Sequence, residues 1–144
     1  MLAMQKRFRS SQLISLDVGV RIARDLDPVA LIEPSPRLML DIQRATIRLS
    51  KIKYQHRGAR TVVLARLDVS GSPHTNPDQV EISGTHLHLF REGFEDKWAS
   101  ELVLSEWTDL TDKELTLRDF CKRFNIDQLP PVRVPLPPAS ATTP

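Results

Sequence analysis

From Leu38 to Val69 the apolar residues fall on alternate positions, and a period of two excludes a helix as the framework of the middle of this chain. Leu38, Leu40 and Ile42 alternate with Met39, Asp41 and Gln43, and Ile47 and Leu49 continue the pattern past a turn expected at Arg44-Ala45. The apolar parity then switches to Ile52 and Tyr54, which one extra residue near Ser50-Lys51 explains as a bulge. His56 to Arg60 reads as a polar turn. Thr61, Val63, Ala65, Leu67 and Val69 follow as a long strand, with Arg66 and Asp68 on its other face, so a hairpin joins the two. Thr85 to Arg91 alternates again, and Lys97 to Leu104 supplies one further strand beyond a turn at Glu92-Gly93.

The ends of the chain carry different patterns. Leu13, Leu16, Val20 and Ala23 recur at helical intervals, with Ser10 or Ser11 as the cap, and predict a short amphipathic helix from Ser10 to Asp25. Pro28, Pro34 and Pro36 bracket Val29 to Ile32 as an edge strand or extended connector. Thr111 to Glu114 fits a capping box, and Leu117, Phe120, Cys121 and Phe124 form the apolar stripe of a second helix that covers one face of the sheet. The expected fold class is therefore α+β, with a curved antiparallel sheet of about four to six strands, an N-terminal helix and a C-terminal helix. The expected organisation is a single domain over residues 1–129, followed from 130 to 144 by a Pro-rich disordered or polyproline-like tail.

Composition narrows the function classes. The chain of 144 residues is 40% hydrophobic and 26% charged, which suits one soluble domain with a modest core. A single cysteine, Cys121, excludes a disulfide framework and a multi-cysteine zinc site, and its place on the helix stripe marks it as packing. No apolar run is long enough for a membrane span or, after the charged start, for a signal peptide, so no membrane partner is expected and the cytoplasm is the expected location. Glycine-rich phosphate loops, dinucleotide fingerprints and nucleophile elbows are missing, and no cofactor is expected.

The chemistry-bearing residues gather at one loop. On a strand, Leu87 and Leu89 enter the core while His86 and His88 leave the opposite face together, about 7 Å apart. With His74, three of the four histidines flank the long loop from His74 to Gly84, and loops of that length often carry function. Paired imidazoles suit proton transfer near neutral pH, with Arg91 or Lys97 stabilising developing phosphoryl charge. Two other readings stand beside this one. The His-x-His pair with His74 or Asp78 offers a zinc or iron ligand set, and the same rings, hydrogen-bonded to the loop, serve simply to hold it. Trp98 reads as a core anchor, since large aromatics are usually well buried.

Charge is segregated too, although the net is only +2. Between Arg37 and Arg66 lie Arg37, Arg44, Arg48, Lys51, Lys53, Arg57, Arg60 and Arg66, with Asp41 the only acid. Spread over a hairpin, they make a surface for RNA or another polyanion. Solvent-facing strand positions also favour Lys and Arg as protection against edge pairing.

The stretches LDIQRATIRLSKIKYQHR, RLDVSGSPHTNPD and HLHLFREGFEDKWA resemble a family of small bacterial and phage-associated proteins with a pattern close to HLHIYREGYxDKWA, over roughly Leu38 to Ile126. Gln79 stands where that family usually has glycine after Asn-Pro-Asp. More distantly, an Arg-x-Asp strand, a His-rich loop and a C-terminal helix are similar to TumE-type toxins of toxin-antitoxin modules. That resemblance implies a cytoplasmic protein acting on RNA or translation, with a cognate antitoxin as partner. The leading expectation is thus an RNA-binding, toxin-like protein, a candidate metal-independent endoribonuclease using His86, His88, His74, Arg91 and Lys97. The alternatives are a non-catalytic phage or prophage protein that inhibits a host defence complex, and a metal-dependent enzyme built on the His-x-His pair.

Overall fold

The alternation of the central segments places one set of side chains under a helix and the other set on the opposite face of a sheet. The computed structural model describes residues 1–136. Its strands are β1 (Lys6–Phe8), β2 (Ile14–Ser15), β3 (Arg21–Pro28), β4 (Leu38–Arg44), β5 (Ile52–Gly58), β6 (Val62–Val69), β7 (His74–Thr75), β8 (Glu81–Ile82), β9 (His86–Leu89), β10 (Ala99–Glu101), β11 (Ile126–Asp127) and β12 (Val132–Arg133). Eight of them form one sheet in the order β10-β9-β6-β5-β4-β3-β1-β11, antiparallel except where β1 pairs with β11. One α-helix, α1 (Lys113–Arg123), is found among the described residues.

The inner face is apolar. Cross-strand register aligns Ile42, Tyr54, Leu67 and Leu87 in one row and Leu40, His56 and Ala65 in the next. Helix α1 lays Leu117, Phe120 and Cys121 over this face, as its apolar stripe predicts. Tyr54 anchors it, because its hydroxyl donates to the Lys113 carbonyl (2.9 Å) and its ring lies 6.2 Å from that of Phe120. The N-cap is Asp112, which accepts from the Leu115 backbone N–H, one residue along from the expected capping box.

The α+β expectation is corrected to a mostly β chain whose main sheet is larger and mixed. The predicted N-terminal helix does not form. Ile14 and Leu16, two apart, are both fully buried, while Leu13 on the supposed helical stripe is 47% exposed, so period two wins over period 3.6. Gly19 adopts φ +78, and a Cβ there would lie 2.6 Å from Thr46 Cγ2, so the chain turns at Gly19 instead of continuing a helix. Ser10 accepts from the Gln12 N–H and caps this local turn.

Other expectations also shift. Residues 45–51 are a loop joining β4 to β5, with Ile47 at 93% exposure, and this loop accounts for the parity switch without a bulge. The register irregularity falls later, opposite His56 and Arg57, and the turn after β5 tightens to Ala59 and Arg60, both at positive φ. Residues 29–32 form no strand. The start of the Pro-rich segment is tied down, because Pro131 and Arg133 lend their carbonyls to the N–H groups of Ile14 (2.9 Å) and Leu16 (2.8 Å). A proline lacks the donor but keeps the acceptor. Residues 137–144, the rest of the expected tail, lie outside the described residues.

His56 is fully buried on the inner face, and its Nδ1 donates to the Met39 carbonyl (3.1 Å). Burial, aided by the positive charge of Lys6, pushes its pKa down from 6.5 to about 4. The unfolded chain therefore binds this proton first, and the stabilisation is complete above pH 6.5 and declines as pH falls towards 4. Thermal melts should show the wild type losing Tm across that window, and His56→Leu, whatever its baseline, should lose less over the same interval.

Candidate functional site

The outer face of the sheet carries the polar halves of the same alternations. Register sets Lys53, Asp68 and His86 in one cross-strand row and Gln55, Arg66 and His88 in the adjacent one. Because β9 pairs directly with β6, the two histidines stand beside Arg66 and Asp68. Their rings are 4.8 Å apart between centroids.

Backbone carbonyls only accept, so they fix how each ring is turned. His86 Nδ1 donates to the Ser83 carbonyl (2.5 Å), and His88 Nδ1 donates to the Asp96 carbonyl (2.7 Å). Both Nε2 atoms then face Asp68 Oδ2, at 3.1 Å for His86 and 3.3 Å for His88. Arg66 inserts among them, with Nη2 donating to His88 Nε2 (2.9 Å), Nε to Asp68 Oδ2 (3.2 Å) and Nη1 to Asp96 Oδ2 (3.0 Å). Burial alone would raise the Asp68 carboxyl, but the charges of Arg66 and Lys53 outweigh it and hold the pKa at about 2.

A lid closes this cluster. Beyond β6 the chain narrows to a neck where Gly71 N–H donates to the Gly84 carbonyl (2.9 Å), and a Cβ on Gly84 would lie 2.2 Å from Gly71 O. Past the neck, β7 and β8 pair as a small hairpin around a turn at residues 76–79, closed by Gln79 N–H to the Asn76 carbonyl. Gln79 takes φ +71, the left-handed form that favours the glycine of the resembling pattern. Asn76, which sequence reasoning missed, fastens the hairpin to β10: its Nδ2 donates to the Ala99 carbonyl (2.9 Å), and its Oδ1 accepts from the Ala99 N–H (2.8 Å). His74 lies over the cluster, 4.6 Å from the His88 ring and 5.8 Å from the His86 ring, and its Nε2 donates to the Lys97 carbonyl (2.7 Å).

His74, His86 and His88 therefore do come together. The last two are sealed at 2% and 0% exposure. Arg91 is drawn instead over the Trp98 ring, 4.3 Å from its centroid, and Lys97 joins the cluster through its carbonyl. Trp98 is half-buried beside Phe94 and is not a core anchor; Trp107 fills that role. Of the metal ligands considered from sequence, Asp78 is exposed in the turn and bonds the Val80 N–H. The carboxylate that joins the imidazoles is Asp68, whose outward parity beside Arg66 was the signal available.

The basic residues divide by face and by end. Arg44 points inward, buried, and donates to the Leu16 carbonyl (2.7 Å). Arg57 is paired with Asp41, Arg66 with Asp68 and Asp96, and Arg60 sits in the turn at the far end of the sheet. Arg48, Lys51 and Lys53 remain together, joined by Arg21, which shares the row of Gln43 and Lys53. Among the described residues none of these four forms a salt bridge. A cavity of about 130 Å³ opens between Lys51, Lys53, Gln43, Gly71 and Asp68, so the cationic rim adjoins the enclosed carboxylate.

Residues 1–126 match a family of unknown function (DUF6978). Neither a curated protein nor a solved structure matches the chain.

The lid depends on paired groups that water cannot reach. Asn76→Ala strands the Ala99 N–H and carbonyl and should cost about 2 kcal/mol in urea unfolding, with faster amide exchange at Ala99. Gly84→Ala should cost more than Gly71→Ala, whose added Cβ meets Gly84 O at an ordinary 3.4 Å.

Proposed function

The chain belongs to the DUF6978 family, whose function is unknown, and we propose from its own geometry that it binds RNA through the rim of Arg21, Arg48, Lys51 and Lys53. One observation carries this reading: four cations that form no salt bridge among the described residues converge on one end of the outer face. Arg21 and Lys53 lie two strands apart, about 10 Å by the usual strand spacing. Arg48 and Lys51 come from the loop that follows β4, and the loop's exposed Ile47 offers apolar contact to a base. Unpaired surface cations so clustered attract phosphates by releasing their counterions.

On this proposal the chain binds RNA without cleaving it. General acid-base catalysis requires His86 or His88 within hydrogen-bond reach of the reacting oxygens, and the closed hairpin prevents this. A toxin of this kind would sequester its RNA, and its antitoxin would cover the rim.

Fluorescence anisotropy with a labelled single-stranded RNA tests the proposal. Four neutralised phosphates give a slope of log Kobs against log salt of about −3. Arg48→Glu with Lys51→Glu, both on a surface loop, should weaken binding at least about tenfold and halve that slope, and the recovered RNA should be intact. Undetectable binding at low salt, or unchanged affinity in the double variant, would overturn the reading. Equal affinity for polyglutamate would replace RNA with an acidic protein surface as the partner.

A further inference from the structure

We infer that Asp68, His86 and His88, with His74 as the fourth donor, form a binding site for a divalent transition metal of the zinc class. The inference rests on geometry inside the lid and is independent of RNA binding at the rim.

One donor atom from each of Asp68, His86 and His88 lies within 4.8 Å of the others. Both Nδ1 protons are already committed to backbone carbonyls, which leaves the Nε2 lone pairs turned to the same carboxylate oxygen. That is the second-shell arrangement that orients metal-binding imidazoles. The Nε2 to Oδ2 separations of 3.1 and 3.3 Å fit one coordination sphere. Bonds of about 2.0–2.1 Å around a tetrahedral ion set neighbouring donors about 3.3 Å apart.

Two acceptors cannot face each other unaided. Between His86 Nε2 and Asp68 Oδ2 there must be a cation, either a proton or a metal ion. A single proton satisfies that pair alone, whereas Asp68 Oδ1 is buried without a hydrogen-bond partner among the described residues and a second imidazole converges on the same carboxylate. A divalent ion answers all of these groups together. His74 lies outside that group of mutually close donors; it commits Nε2 to the Lys97 carbonyl, which leaves Nδ1 as the lone pair that a shift of the lid ring would bring to the ion. The resulting set of three imidazoles and one carboxylate, without sulfur, is of the kind zinc takes in four-coordinate sites.

Arg66 is the competitor. Its guanidinium touches both His88 Nε2 and Asp68 Oδ2, so the metal must take its place. The side chain has somewhere to go, since it is 21% exposed and already tied to Asp96 Oδ2 on the outward side. With donors from β6, β9 and the lid hairpin, the ion would clasp residues 72–83 onto the sheet.

The test uses the full chain, stripped with a chelator and then titrated with Zn²⁺ or Co²⁺. One equivalent should bind, and a free-ion concentration a hundredfold above Kd should raise Tm by about 5–10 °C. His86→Ala should lose the ion. His74→Ala, on the accessible side, keeps the test valid should His86→Ala fail to fold, and should weaken binding at least about tenfold, in line with a lost ligand or partner. Arg66→Met should bind more tightly, because a competing cation has been removed. Less than roughly a tenth of an equivalent bound with no Tm shift, or unchanged affinity in His74→Ala, would overturn the site. Weaker binding by Arg66→Met would contradict the displacement of the guanidinium.

Discussion

The Asp68 carboxylate is the constraint around which the outer face is arranged. It is a buried charge on a strand whose next outward neighbour is Arg66, and an unpaired carboxylate there would cost several kcal/mol. Arg66 and Lys53 offset that charge, and their positions and those of the two imidazoles follow from register alone. A slip of one residue between β6 and β9 would turn His86 and His88 into the apolar face and Leu87 out of it. Electrostatics and core packing therefore select the same pairing.

The lid follows from the same requirement. Charges held at a sheet surface are screened by water, and the β7–β8 excursion removes that water. It can do so because its own polar groups are paired: Asn76 with Ala99, His74 with Lys97, Gly71 with Gly84. The cationic rim lies just beyond the neck and escapes the pairing that neutralises Arg57 and Arg66. Enclosed cluster and open rim are thus neighbouring parts of one surface, divided by which cations find a carboxylate.

Much of this was legible in the sequence where alternation was long. Strands β4, β5, β6 and β9 and the stripe of α1 could be read from spacing, as could the shared face of His86 and His88. The N-terminal region misled because Leu13, Leu16, Val20 and Ala23 satisfy a helical period by coincidence, while Ile14 and Leu16 satisfy a strand. Short strands such as β1, β2, β11 and β12 have too few residues to show a period, and they exist through long-range pairing that no local window contains. Asp68 was placed on the right face, but its tie to His86 and His88 needed the β6–β9 register. Burial of the cluster was hidden for a similar reason, since the lid's fastening residue, Asn76, looks like ordinary turn chemistry. The basic residues could be counted but not sorted, because parity alone does not say which of them meet a carboxylate.

The central claim is that the His86 and His88 rings are held with Nδ1 on backbone carbonyls and Nε2 turned to Asp68. Nitrogen-detected NMR of imidazole-labelled protein reads this directly. The account predicts protons on both Nδ1 atoms that exchange slowly with solvent, as sealed groups do. Rings protonated only on Nε2, or Nδ1 protons exchanging as fast as those of a free histidine, would contradict it.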